Sequence, residues 1–397
     1  MTIVEINSVC RGSTGNIMLS IARLSKGEHN VHTFSAPRRT LAPSGHKYFG
    51  ERLENNCHRF TGVITGISEN GSVRGTKQLI DQIEQINPDV IHLHNLHGWY
   101  INVQMLFDYI KRRHIAVVWT LHDCWGFTGQ CSHFLAENCM KWKTGCYSCP
   151  RHWIYPYSLV DRTGEMWKKK KHWFTGVENL VIVTPSEWLA NRVKESFLNA
   201  YRVEVINNGI DLQVFRKRES AFREKWKTGE KKIVLGVASE WSNRKGLGSF
   251  LELSERLDEM EYQIVLVGTT KKIEKKLPDN IISIRRTADR RELAEIYSAA
   301  DVFVNPTLED NFPTVNIEAL ACGTPVVTYN TGGSSEMIDE KTGCVVNYRD
   351  VDGLITSIDR VCRDGLYDAN DCIRRAQNYD ETKCFEKYFS LYEELRH

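Results

Sequence analysis

The chain has 397 residues, more than one hydrophobic core normally serves, so two domains of roughly 150–200 residues each are expected. Hydrophobic residues make up 41% and charged residues 26%, which excludes a disordered or fibrous chain. A formal net charge of +2 excludes a global field that would gather nucleic acid.

Thr2–Asn7 predicts a first strand. Gly12-Ser13-Thr14-Gly15-Asn16 predicts a turn, and Ile17–Leu24 has helical spacing. Further strands are predicted at Val31–Phe34, Asp89–Leu93, Ala116–Thr120, Leu180–Thr184 and Val203–Ile206. The pattern restarts at Lys232, with strands at Ile233–Val237, Gln263–Gly268, Ile281–Ser283, Asp301–Asn305 and Pro325–Thr328. Nearly continuous apolar strands alternating with helices imply parallel sheets covered on both faces. The fold class is therefore α/β, with two doubly wound domains. The first is residues 1–207, with a cysteine-rich insertion near 124–150, and the second is residues 208–379. A closing amphipathic helix, 380–397, is expected to pack back on the first domain.

Met1–Ile6 lacks the basic start and long apolar run of a leader, and no stretch approaches ~18 apolar residues. A cytoplasmic protein is expected, its twelve cysteines reduced or bound to metal.

Ligands of such sheets bind outside the carboxyl ends of the strands. The most informative stretch runs from Asn305 to Val327. A strand ends at Asn305, a loop follows, and a helix starts near Thr314. The helix start offers free N–H groups and a positive dipole end to a phosphate. Asp310 precedes it and Glu318 lies eight residues on, a spacing that lets two carboxylates accept from different hydroxyls of one ligand. Upstream, Arg244 and Lys245 beside Gly246 follow another strand end, a fork and a point charge suited to a diphosphate.

These segments resemble the family 4 retaining glycosyltransferases of the GT-B fold, two Rossmann-like domains facing a central cleft. The acid-x7-acid motif of that family matches Asp310 and Glu318, and Ala319–Val327 matches the segment after it. The family usually has Glu first and Gly-Phe-Gly next; here Asp310 and Asn311-Phe312-Pro313-Thr314 stand instead, as in a branch of capsule and exopolysaccharide transferases. Lys245 matches a family lysine, while the arginine usual after the strand is replaced by Ser239, with Arg244 as a substitute. The resemblance implies a nucleotide sugar, UDP- or GDP-linked, as donor and a carbohydrate or lipid-linked acceptor. It implies retention of configuration and an acceptor side in the first domain, where Gly15 faces donor phosphates or acceptor. His122 matches a histidine near the donor sugar. Asp310 and His122 would orient the sugar, Glu318 would hold the ribose, and Asn311, Phe312, Pro313 and Thr314 would line the nucleotide site. No catalytic cofactor is expected, because the one Asp-x-Asp, Asp350-Val351-Asp352, reads as a helix cap.

Other features need separate readings. His92 points inward with its strand and reads as core, and a metal site at His92, His94 and His97 is the less favoured alternative. Cys131, Cys139, Cys146 and Cys149 include one Cys-x2-Cys pair, so a structural zinc is weighed evenly against buried thiols. Residues 167–174 combine four lysines with aromatics, a pattern that fits either an anionic bilayer at the inner face of the membrane or a solvated helix face. Rival functions are a nucleotide-sugar epimerase or hydrolase, a non-catalytic sugar-nucleotide-binding protein, and a zinc nucleic-acid module. Without a clustered basic stripe, no nucleic acid is expected as a partner.

Overall fold

Runs of Val, Ile, Leu and Trp buried on both faces form the strands, because a parallel ladder pairs the backbone groups that such burial takes from water. The computed structural model describes residues 1–25, 27–39 and 41–396. The chain divides into two compact units: Met1–Asn207 with Phe385–His397, and Asn208–Cys384.

In the first unit β1 (Thr2–Asn7), β2 (Asn30–Ser35), β3 (His46–Tyr48), β4 (Val90–Leu93), β5 (Ala116–Thr120), β6 (Leu180–Thr184) and β7 (Arg202–Val205) pair in the order β3-β2-β1-β4-β5-β6-β7. All neighbours are parallel. The order reverses direction at β1 and β4, so connections leave to opposite sides there and open a crevice at the strand ends. The second unit repeats this plan with β8 (Lys232–Val237), β9 (Tyr262–Val267), β10 (Ile281–Ile284), β11 (Val302–Asn305), β12 (Val326–Tyr329) and β13 (Gly343–Val346), ordered β10-β9-β8-β11-β12-β13. Its crevice lies at β8 and β11.

Three sequence expectations change. β3 and β13 are additions; both are edge strands of three or four residues, too short to leave an apolar run. The predicted turn Gly12–Asn16 is instead the start of a helix, Gly12–Leu24. The segment 167–174 lies in the helix Thr163–Phe174, and its aromatics Trp167, Trp173 and Phe174 are buried in the first core. Lys170 is buried with them; its Nζ donates to the carbonyls of Trp125 and Thr128 at 2.9 and 3.2 Å and sits 3.6 Å from the Trp125 ring centroid. This stretch therefore presents no aromatic face to a bilayer. Among the described residues no helix is long and apolar enough to cross a membrane.

The helix Glu381–Leu395 carries Tyr388 and Tyr392 into the first unit. Tyr392 Oη lies 2.6 Å from His92 Nδ1, and Thr120 Oγ1 lies 2.8 Å from His92 Nε2. Thr120 is also 3.0 Å from Tyr388 Oη. Glu5, in the middle of β1, is 3.3 Å from His92 Nδ1. Burial pushes the Glu5 carboxyl well above the usual carboxylate range and holds His92 and His94 well below the usual imidazole range, both in the direction of the uncharged form. Removing one partner leaves a buried polar atom unpaired. Tyr392→Phe should lower unfolding stability by about 1–3 kcal/mol in chemical denaturation, with no matching loss for an exposed control such as Glu393→Gln.

Candidate functional site

In the second unit the loop after β11 is packed against those after β8 and β12 through glycine. Gly246 has φ +80°, and a Cβ there would lie 2.2 Å from the Pro306 carbonyl oxygen. Gly332 has φ +53°, and a Cβ there would lie 1.7 Å from the Asp310 carbonyl oxygen. Only glycine permits both the left-handed backbone and the contact. Arg244 spans the same seam: its Nη1 donates to the Glu309 carbonyl at 2.8 Å, and its own carbonyl accepts from Leu308 N at 2.8 Å.

This seam brings Lys245 Nζ within 2.5 Å of Asp310 Oδ2. The pair is part-exposed, at 21% and 17% of the side-chain surface, so either partner can exchange the other for a ligand. Asn311, Phe312 and Pro313 are buried next to it, with Phe312 tilted against the Tyr379 ring at 5.9 Å. The helix Thr314–Ala321 begins at Pro313 with no side-chain cap and no acid in its first turn, which leaves its positive end unscreened. On its second turn Glu318 accepts a hydrogen bond from Tyr297 Oη at 3.1 Å. Burial raises the Glu318 carboxyl to about 7. Asp350 accepts from Gly353 N at 2.8 Å as a helix cap, as its sequence position suggested.

In the first unit the strand ends gather histidines. His94 Nδ1 lies 3.0 Å from His122 Nε2, with the rings stacked at 12°. Burial lowers His122 to about 4, so it is a neutral hydrogen-bonding group at neutral pH. His97 Nε2 lies 2.8 Å from Asp123 Oδ2, and its Nδ1 lies 3.0 Å from Tyr155 Oη. Gly15 is placed differently from expectation: a Cβ there would sit 2.5 Å from the Cys10 carbonyl carbon. Its bareness serves backbone-to-backbone packing, with no open surface left for a ligand.

A cavity of about 840 Å³ opens at the carboxyl end of β1. Five arginines line it, Arg11, Arg38, Arg39, Arg52 and Arg59, together with Trp99 and Tyr155. The sequence reading missed these residues. The available clue was the helical i, i+7 spacing of Arg52 and Arg59, which puts both on one face.

Among the described residues, one group of three places its ligand atoms within 4.8 Å of one another, Glu5, His92 and His94. Both His92 nitrogens are already engaged by hydroxyls, so a fastening role accounts for the group. His97 lies apart from it. Cys131, Cys139, Cys146 and Cys149 do not form such a group among the described residues. Burial, with smaller contributions from their mutual repulsion, raises the Cys131, Cys146 and Cys149 thiols, and Cys146 Sγ accepts from Gly129 N at 3.1 Å.

Residues 17–214 match the model described as Glycosyltransferase Family 4, and residues 231–364 match that described as Glycosyl transferases group 1. The chain is a family 4 glycosyltransferase. Among curated relatives of this glycosyltransferase is WcaC of Escherichia coli K12, whose name provisionally assigns it to colanic acid biosynthesis as a glycosyl transferase. It is 25% identical over 78% of this chain and 77% of its own length. Solved structures share the fold. Anabaena HepE, crystallised with UDP, gives a TM-score of 0.71 at 14% identity, covering 99% of this chain and 100% of its own. Sucrose-phosphate synthase from Thermosynechococcus elongatus gives 0.70 at 16% identity, covering 99% and 98%. Both units thus belong to a GT-B glycosyltransferase.

Two outcomes check this geometry. Gly246→Ala should destabilise the second unit by about 2–4 kcal/mol and weaken nucleotide binding, read by denaturant unfolding and calorimetry. The raised Glu318 acid makes the folded state hold a proton that the unfolded state has lost. Stability therefore falls as pH rises from the usual 4.5 to about 7. Glu318→Gln removes that fall, so its melting temperature relative to the parent should rise by about 3–8 °C between roughly pH 5 and pH 8.

Proposed function

We propose that this glycosyltransferase moves a hexosyl group from a UDP- or GDP-linked donor to a carbohydrate or lipid-linked acceptor in surface polysaccharide biosynthesis. Retention of configuration and chemistry without a divalent metal belong to the same reading. The observation that carries it is the Lys245–Asp310 pair beside an uncapped helix start, one turn from Glu318. A donor diphosphate entering there would take Lys245 from Asp310, freeing the carboxylate to accept hydroxyls of the sugar. Lys245, Arg244 and the amides at Thr314 would stabilise charge growing on the leaving phosphate. Glu318 would accept from the ribose, and neutral His122 would orient the sugar by hydrogen bonding. The UDP bound by HepE and the polysaccharide name of WcaC support donor class and pathway type. Work at the inner face of the cell membrane accords with a lipid-linked acceptor.

The test is a panel of nucleotide sugars scored by thermal shift, then by turnover. A productive donor should raise the melting temperature, and Glu318→Ala and Lys245→Ala should each remove at least about tenfold of its affinity, about 1.4 kcal/mol. Unchanged stabilisation in both variants would overturn the site assignment. Nucleoside diphosphate released without acceptor at the full rate would indicate a hydrolase, and binding without release would indicate a binding protein.

A further inference from the structure

The arginine-lined cavity of the first unit is unexplained by donor chemistry. Its five guanidinium groups come from separate places: Arg11 precedes the first helix, Arg38 and Arg39 follow β2, and Arg52 and Arg59 share the helix Arg52–Thr65. Among the described residues none of the five has a carboxylate within ion-pair distance or a side-chain hydrogen bond. The nearby Glu54 carboxylate is spent on the backbone N–H groups of Arg74 and Gly75. The first helix adds an N-terminus with no side-chain cap and no acid in its first turn. In a chain of net charge +2 this is a concentration of uncompensated positive charge around one open volume. A neutral glycan would leave all of it unanswered, whereas phosphate oxygens match the guanidinium fork.

The same helix has a second, apolar face. Of its residues only His58 and Gly62 are buried. Leu53 and Phe60 are 72% and 67% exposed, and Ile64 is exposed with them. Positions 53, 60 and 64 form one stripe, adjoining the face that turns Arg52, Asn56 and Arg59 to the cavity. The stripe continues at the helix end, where Leu159 N donates to the Val63 carbonyl at 2.8 Å and the Leu159 side chain is exposed. An apolar strip flanked by unpaired arginines is the complement of a bilayer surface with phosphate at its edge.

We infer that the first unit binds a membrane lipid bearing a phosphate or diphosphate. The arginine cavity grips the anionic group, and the stripe Leu53–Phe60–Ile64 rests on the lipid surface. The inference rests on the glycosyl-transfer reading for its purpose, and it names the acceptor's chemical class.

The test uses the full chain and three probes: inorganic pyrophosphate, phosphatidylcholine vesicles carrying a polyprenyl diphosphate, and UDP or GDP. The triple variant Arg38→Gln/Arg39→Gln/Arg59→Gln alters only exposed side chains, and circular dichroism checks its fold. It should weaken pyrophosphate and vesicle binding at least about tenfold while nucleotide binding stays within about twofold. Phe60→Ser/Ile64→Ser should lose vesicle binding and keep pyrophosphate binding. Pyrophosphate binding unchanged in the triple variant would overturn the proposal. So would nucleotide binding lost in parallel, which would give the cavity to the donor. Vesicle binding indifferent to Phe60→Ser/Ile64→Ser would overturn it in favour of a soluble phosphorylated acceptor. Failure of the donor reading shows in the nucleotide probe, and failure of this proposal shows in the other two.

Discussion

Two parallel strands whose onward connections leave to opposite sides of a sheet cannot close the gap at their carboxyl ends. Both units of this glycosyltransferase are organised by that constraint. At β8 and β11 the gap is bordered by Arg244, Lys245 and the Asp310 loop; at β1 and β4 it is bordered by the histidines and the arginine cavity. Buried apolar strands supply rigidity beneath, and the polar chemistry collects where backbone leaves the ladder. Gly246 and Gly332 matter because the loops must then be pressed together without side chains between them.

The two gaps handle charge in opposite ways. In the second unit the cation and the carboxylate neutralise each other, and Glu318 is held near neutrality by burial. On the proposed reading, Lys245 and Asp310 would each acquire a ligand by exchanging a partner. In the first unit the arginines are without counter-charges among the described residues. Their hydration keeps them tolerable until an anion arrives, and their number sets a demand for several negative charges together.

Much of this was legible from the residues. Strands buried on both faces announce themselves as apolar runs, so the central strands of both sheets could be drawn beforehand. The edge strands His46–Tyr48 and Gly343–Val346 could not, because pairing on one side needs no such run. The glycines at 12 and 15 argue against helix by propensity, yet a helix starts there because Gly15 packs on the Cys10 backbone. The acidic motif was readable because Asp310 and Glu318 fall in one contiguous stretch. The arginine cavity was not, because Arg11, the Arg38–Arg39 pair and the helix carrying Arg52 and Arg59 are brought together only by the adjacency of β1, β2 and β3. Lysines and aromatics at 167–174 suggested a surface, but Lys170 finds carbonyl acceptors in the core and its aromatic neighbours follow it inward.

The helix that supplies Tyr388 and Tyr392 is synthesised after the entire second unit. Glu5 and His92, made early, therefore wait through translation of residues 208–384 before the hydroxyls that satisfy them leave the ribosome. During that interval the first sheet is an incomplete body with an open polar seam. The second unit, continuous in sequence, is fully synthesised before the first unit receives its last helix.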